Sequence, residues 1–451
     1  MALNERTPKP AGRSTVSLFA GCGGLDLGFR EHGFDLLYAA DNDPEAVEAF
    51  RHNIGDHIKL RDVRDADFRA DIRAIGRADV VLGGFPCQGF SKAGPKRSDD
   101  VRNTLYQEMH WAISTLHPKV FIAENVDGLS QNFGGALLRV IVDDFSSLGY
   151  RVEYRIIDAV AFGVPQHRRR IIFVGVRSDQ PDFSWPEATH RLPRRNGEAE
   201  IKTQGSDLFS FRPATQLSEP VSIEQAISNL PVIGAVDDHV VTSDWPKKYN
   251  YIMRAIKPGQ KLCNVRHAAT SVYSWQIPDA FGHASDAQIK ILEVIGANRR
   301  HKKYGNIPNG NPLSKSDIEH LLGSSVSESD LNELLELGYL KIILGKFDLK
   351  GAMFCSGLFK RPVQTAPSPT VLTNFHNPRY FIHPFEDRPF SIRECARLQG
   401  FPDSFQFVAA GVSLVGAYRL IGNAVPPPVG RALALATKDY LDQEVGALRA
   451  A

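Results

Sequence analysis

The chain has 451 residues, 53 Lys+Arg against 51 Asp+Glu, a formal net charge of +2, and is 43% hydrophobic and 23% charged. That composition supplies cores for two or three domains and excludes a disordered or fibrous chain. No run approaches the ~20 apolar residues of a membrane span, and the polar stretch 1–13 lacks a signal-peptide core. Five scattered cysteines without a CxxC pair argue for reduced thiols, no structural zinc and a cytoplasmic location.

In chain order, Val16–Ala20 is apolar and runs into glycines, and Leu25–Glu31 has helical spacing. Asp35–Ala40 is a strand ending at Asp41, with a helix at Pro44–Phe50 behind it. Further strands are expected at Asp79–Leu82, Lys119–Ala123 and Ile171–Val176, with helices at Asn103–Leu116 and Ala136–Leu148. This alternation predicts an α/β fold, a doubly wound, mostly parallel sheet with helices on both faces. Ligands in such sheets bind at the carboxyl ends of the strands.

Around Pro181 the texture changes. Residues 182–220 are rich in Arg, Pro, Ser and Gly and read as linker. Strand signals return at Thr370–Thr373 and Arg379–His383, followed by helices at Ile392–Leu398 and from Val429 to about Val445. The parse is a catalytic domain at 14–182, an inserted region at 183–370, and a return to the catalytic domain at 371–446.

Five motifs carry chemistry. Phe19-Ala20-Gly21-Cys22-Gly23-Gly24 follows a strand and opens a helix, so a ligand can approach the backbone and free N–H groups. A dinucleotide fingerprint needs glycine where Asp26 stands, which weighs against a nicotinamide cofactor. Gly83-Gly84-Phe85-Pro86-Cys87-Gln88 places a cysteine in a Gly/Pro-rich loop at a strand end, where a thiolate nucleophile belongs rather than a buried structural thiol. Glu124-Asn125-Val126 ends an apolar strand at the same sheet edge, where burial favours a carboxyl that holds a proton near neutrality. Gln166-His167-Arg168-Arg169-Arg170 is either a solvated basic face or, beside a cysteine and a glutamate, an anion or carbonyl clamp. Gly422-Asn423-Ala424-Val425 precedes the last helix.

This ordered set, with Arg393-Glu394-Cys395-Ala396-Arg397-Leu398-Gln399-Gly400 between the last two motifs, resembles the C5-cytosine DNA methyltransferases of restriction-modification systems. The resemblance covers roughly residues 14–180 and 365–445, and the block between them falls where that family keeps its target-recognition region. It implies the S-adenosylmethionine methyltransferase fold, S-adenosyl-L-methionine as cofactor, no metal, and a cytosine flipped out of double-stranded DNA. It implies catalytic roles for Cys87, Glu124, Arg168 and Arg170. It also implies a cofactor pocket built from Phe19, Gly21, Cys22, Gly24, Asp41, Asn42, Asp62, Val63, Pro86, Leu105, Asn423 and Val425. The resemblance further implies a monomer in a bacterial cytoplasm, with a cognate restriction endonuclease acting on the same site. The alternatives are a tRNA cytosine-5 methyltransferase, which usually has a shorter insert, and a catalytically inactive DNA-binding relative, which should have lost Cys87, Glu124 or Arg168.

Within the insert, helices are expected at Ala287–Ala297, Ser314–Leu322 and Ser327–Leu337, then strands at Tyr339–Leu344 and Ala352–Leu358 around Gly345–Gly351. Three helices and a hairpin describe a winged helix at about 285–362, expected to touch DNA through its third helix or its hairpin. A basic stretch precedes it, in which Lys247, Lys248, Arg254, Lys257 and Lys261 are candidate phosphate contacts.

Overall fold

Strands β1 (Ser14–Leu18), β4 (Val80–Gly83) and β5 (Val120–Val126) are buried on both faces, which is why they read as continuous apolar runs rather than alternating ones. They form the middle of a seven-stranded sheet in this computed structural model, which describes residues 13–86, 105–130, 135–193, 213–242, 244–264, 268–307, 310–350 and 357–450. The others are β2 (Asp35–Asp41), β3 (Ile58–Leu60), β6 (Tyr150–Asp158) and β7 (Arg169–Arg177). The order is β3-β2-β1-β4-β5-β7-β6, parallel except that β7 runs antiparallel to both β5 and β6.

Helices α1 (Gly24–Glu31), α2 (Pro44–Asn53), α3 (Ala66–Ile75), α4 (Tyr106–Leu116) and α5 (Ala136–Ser147) connect the strands. Phe68, Ile72, Met109, Ile113, Ile141 and Phe145 from α3, α4 and α5 share one core with Val16, Val81, Phe121 and Phe173 of the sheet. At about 2 kcal/mol per fully buried large apolar side chain, such a layer dominates the energetics of this unit. The strands expected between residues 16 and 176 are present within a few residues. β3, α3 and β6 were not anticipated.

The chain divides into two compact units, and the division does not follow the composition shift near residue 181. Residues 1–240, 365–373 and 392–451 form the first, and residues 241–364 and 374–391 the second. Segment 213–240 belongs with the first because its contacts are there. The helix α6 (Ile223–Ile227) is capped by Ser222, and Asp238 forms a buried ion pair with Arg393 at 2.9 Å. Asp238 also accepts from the Phe407 and Val408 amides at 2.9 and 2.8 Å. The Arg393 motif is therefore a structural staple. Thr370–Thr373 and Arg379–His383 are not strands; only the single bridges of Ser368 to Gln166 and Phe381 to Lys360 form nearby. Hydrogen bonds from Val371 to the Gln166 side chain, and from Ile382 to the Lys360 carbonyl, hold these extended segments in place of a ladder.

In the second unit, helices Asp286–Asn298, Lys315–Leu322 and Glu328–Glu336 each begin at a serine, Ser285, Ser314 and Ser327. Each hydroxyl accepts the backbone N–H three residues on, the standard way to satisfy an orphan donor. Ile291, Leu292, Ile295, Ile318, Leu331 and Leu334 meet Tyr339, Leu340 and Leu349 in one core. The hairpin differs from expectation. Its strands are Leu340–Ile343 and Lys346–Leu349, joined by the two-residue turn Leu344-Gly345. Both turn residues have positive φ, 51° and 73°, as a type I′ turn requires. Leucine is a poor residue for that backbone, so the sequence pointed to a later turn. Of the second strand expected at Ala352–Leu358, residues 352–356 lie outside the described residues.

Candidate active site

The loop after β1 turns sharply. Phe19, Gly21 and Gly23 all have positive φ, at 54°, 56° and 88°. Phe19 is the costly member, since a non-glycine residue in this region is strained by about 1 kcal/mol or more. The turn aims the Gly21 N–H at the Asp41 carboxylate (2.8 Å), whose other oxygen accepts from the Asp43 N–H (2.9 Å). Burial outweighs these bonds and pushes the Asp41 carboxyl up to about 6. Burial also pushes the Cys22 thiol up to about 12, which makes it an inert wall residue rather than a nucleophile.

The opposite wall comes from the end of the chain. Helix Leu414–Asn423 and the final helix Pro427–Ala450 flank Ala424 and Val425. A Cβ on Gly24 would stand 2.2 Å from the Val425 carbonyl oxygen, and one on Gly28 would stand 2.3 Å from the Gly430 carbonyl carbon. Only glycine lets α1 and the final helix cross this closely. Arg419 fastens the same wall to α2 through Asp43 and through Glu45, at 2.6 Å from the latter.

The floor holds a carboxylate and two guanidiniums. Glu124, 9% exposed at the end of β5, pairs with Arg170 Nε at 2.8 Å. Arg168, 1% exposed, donates to the carbonyls of Val371 (3.4 Å) and Asn423 (3.3 Å), while its Nε has no hydrogen-bond partner among the described residues. Desolvation, reinforced by Arg170, holds the Arg168 guanidinium well below its usual range. Asn125 Nδ2 donates to the Phe85 carbonyl (3.0 Å), tying β5 to the loop that leads to Cys87. Gln166 bonds the Leu398 carbonyl (2.9 Å) and the Gln399 side chain, and Gln399 donates to the Ala424 carbonyl (2.6 Å). The Gln166 and Gln399 positions thus act as braces between β7 and the C-terminal return.

These walls enclose one cavity of about 590 Å³, a size that suits a small-molecule cofactor. It is lined by Phe19, Gly21, Cys22, Gly24, Asp41, Asn42, Pro86, Glu124, Arg168, Arg170, Asn423 and Val425, all expected from sequence. Asp62, Val63 and Leu105 are not in the lining. Asp62 is bonded to the side chain of Asn42, a lining residue, and paired with Arg64, and Val63 and Leu105 pack in or against the hydrophobic core. Cys87 lies outside the described residues. Reasoning from sequence missed Leu420 and Thr373, which give no chemical signal, and Asp26. The Asp26 carboxyl is 1% exposed, hydrogen-bonded by Ser17, and lacks a donor at Oδ1, and burial pushes it up to about 7. Among the described residues no group of three or more His, Cys, Asp or Glu is placed to hold a metal.

A mostly parallel sheet with a glycine loop, an acid ending β2 and a cavity at the carboxyl ends of the strands defines a nucleotide-cofactor enzyme of the methyltransferase fold. The chain belongs to the C-5 cytosine-specific DNA methylase family, whose model matches residues 13–439. It is similar to the Type II methyltransferase M.AgeI of Thalassovita gelatinovora, 33% identical over 93% of this chain and 98% of that one. It is also similar to the Type II methyltransferase M.NgoFVII of Neisseria gonorrhoeae, 30% identical over 94% of this chain and 85% of that one. Among solved structures, a prophage-encoded E. coli protein described as a DNA modification methyltransferase superposes with a TM-score of 0.53. It is 24% identical over 95% of this chain and 99% of that one, a likeness that shows the fold alone. The protein is a DNA cytosine-5 methyltransferase, and its family and fold imply S-adenosyl-L-methionine as methyl donor.

Proposed function

We propose that the cavity binds S-adenosyl-L-methionine and a flipped cytosine side by side, and that Cys87, Glu124, Arg168 and Arg170 perform the chemistry. One observation carries this reading: the glycine loop, Asp41 and Asn423 line the same cavity as Glu124, Arg168 and Arg170. The loop amides, the Asp41 carboxylate and the open space over Gly21 fit the cofactor's polar groups. Phe19, Gly21, Cys22, Gly24, Asn42, Pro86, Asn423 and Val425 would hold it, with Asp62, Val63 and Leu105 around the adenine side. Bound there, S-adenosyl-L-methionine supplies an electrophilic methyl group.

The residues of the chain prepare the base to accept that group. The Cys87 thiolate adds to carbon 6, breaking the 5,6 double bond and leaving carbon 5 nucleophilic. Glu124 hydrogen-bonds ring N3 and stabilises its protonated form, while Arg170 fixes the carboxylate. Arg168, with an unpartnered Nε, holds the base carbonyl oxygen as negative charge develops. Once carbon 5 is methylated it loses its proton, the double bond re-forms and the thiolate leaves.

The substrate is a specific site in double-stranded DNA, with Lys247, Lys248, Arg254, Lys257 and Lys261 as phosphate contacts. The first four are exposed, and Lys248, Tyr251 and Arg254 lie three residues apart on helix Lys248–Ala255. We read the protein as a monomer in a bacterial cytoplasm, and the Type II methyltransferase names of its relatives support a cognate restriction endonuclease acting on the same site. No described helix is long and apolar enough to cross a membrane. Bisulfite sequencing of plasmid DNA from an expressing host tests the reading: methylated cytosines in one sequence context support it. Tritium incorporated into tRNA and not into DNA would replace it with the tRNA reading.

A further inference from the structure

The hairpin of the second unit ends in an apolar residue for which neither folding nor solubility supplies a reason. Leu344 is 96% exposed and holds φ at +51°, a backbone that asparagine or glycine adopts at lower cost. Ile342, two residues earlier on the same face, is 56% exposed, and Leu340, two before that, is in the core. The apolar stripe therefore runs out of the core to the tip.

Charge around this ribbon is polarised. Lys346 adjoins the turn, Lys341 lies two pairs further down, and Arg300, Lys302 and Lys303 are exposed on the segment after helix Asp286–Asn298. Lys346 and Lys303 both act on the Asp317 carboxylate, which places them in one neighbourhood. Asp348, the ribbon's own acid, is buried and held bidentately by Arg299 at 2.8 and 2.9 Å, with the half-exposed Lys341 Nζ at 3.5 Å, so Arg299 already neutralises the acid that Lys341 adjoins. Helix Glu328–Glu336, the third of the trio, is the opposite case. It carries Glu328, Asp330, Glu333 and Glu336 and no basic residue, with only Glu328 paired to a lysine, Lys315. An acidic helix is repelled by phosphates, so it is unsuited to lie in a DNA groove.

We propose that the hairpin, and not the third helix, is the DNA-reading element of this unit: Leu344 enters the major groove while Lys341, Lys346 and Lys303 neutralise the flanking phosphates. A groove about 12 Å wide admits a two-stranded ribbon, and apolar contact there reads thymine methyl groups. Two exposed apolar side chains are far too few for a protein partner, which needs about 800 Å² on each side. The inference rests on the DNA reading given above.

The test measures Kd of the full-length protein for a duplex carrying the site found by bisulfite sequencing and for a scrambled duplex, across a salt series. Leu344→Asn suits the turn and should keep or raise the thermal midpoint. It should weaken cognate binding about tenfold, scrambled binding much less, and leave the salt slope unchanged. Lys341→Ala with Lys346→Ala should weaken both duplexes alike and reduce the slope of log K against log salt by about 2. Leu344→Asn binding the cognate duplex within twofold of wild type would overturn the proposal. So would a change in sedimentation without a change in DNA affinity, which would mark Leu344 as a self-association contact. Wild-type protein that neither binds nor methylates duplex DNA would sink the DNA reading itself, and is distinguishable from a failure of the hairpin alone.

Discussion

The residues lining the cavity of the first unit run from Ser17 to Val425, whereas the three-helix core of the second is drawn from Tyr273 to Leu349. The first is assembled from distant pieces, so each wall depends on backbone crossings that no local signal specifies. The second is built from neighbours in sequence, each helix set by its own serine cap and apolar spacing, an arrangement of low contact order. Changes at the backbone crossings of the distributed site should therefore cost stability and cofactor affinity together, while the local unit should give up affinity and keep its fold.

The largest effect expected lies at the proposed nucleophile. Cys87→Ser should abolish transfer of tritiated methyl groups while cofactor binding, followed by calorimetry, persists. Wild type should form a denaturation-resistant adduct on duplex containing 5-fluorocytosine, because the proton to be lost is replaced by fluorine. Full activity in the serine variant would reject Cys87 as the attacking group. Next comes Glu124→Gln, which keeps the shape but removes the acid and the ion pair with Arg170. We expect kcat to fall on the order of 10²-fold or more with little change in DNA affinity. A kcat within about threefold of wild type would mean that another group acts on ring N3.

Gly28→Val probes the distributed architecture without touching chemistry. With 2.3 Å available at the Cβ position, the helix crossing must open, costing about 1–3 kcal/mol and lowering the affinity for S-adenosylhomocysteine. An unchanged melting temperature would show that the crossing is softer than the backbone contacts imply.

A pH series sharpens the same contrast. Asp26 in the folded protein is pushed up to about 7 from 3.8, so the native state keeps a proton that the unfolded chain has released. Stability from this group is therefore present at low pH and declines as pH rises from about 4 to about 7. Asp26→Asn should remove that slope and raise stability at pH 8 by roughly 1–2 kcal/mol after relaxation of the site. A shallower decline ending near pH 6 should remain, from Asp41. Thermal melts of wild type and variant between pH 4.5 and 8 decide it, and parallel curves would count against the buried carboxyl. The smallest effect belongs to the second unit. Lys247→Ala with Lys248→Ala should weaken binding to all duplexes alike, flatten the salt dependence by about 2 in slope, and leave the melting temperature unchanged.

Much of the first unit was legible because its strands are buried on both faces and its motifs sit at strand ends. What escaped notice did so for physical reasons. β6 is an edge strand whose alternation, Tyr150-Arg151-Val152-Glu153-Tyr154, is diluted by charge. Helix α3 buries only Phe68 and Ile72, too short a stripe to stand out. Asp26 stands out in the sequence only for occupying the place where a dinucleotide fingerprint needs glycine, and its burial is what makes it part of the site. In the second unit the serine caps announced the helices, but the Leu344-Gly345 turn violated the residue preference by which turns are recognised. Arg393 and Gln399 were noticed as part of a motif, yet their work as braces became clear only with Asp238 and Ala424 beside them.

The meeting of α1 with the final helix has a consequence for synthesis. Arg13 grips Asp442 at 2.8 and 3.0 Å, and the Gly28–Gly430 crossing lies in the same pair of segments. A ribosome that has made the glycine loop must add some four hundred more residues before the wall carrying Asn423 and Val425 leaves the exit tunnel. The nascent polypeptide thus carries Asp41, Glu124, Arg168 and Arg170 well before the wall that completes their cavity, and on the proposed reading a prematurely terminated product would not bind the methyl donor.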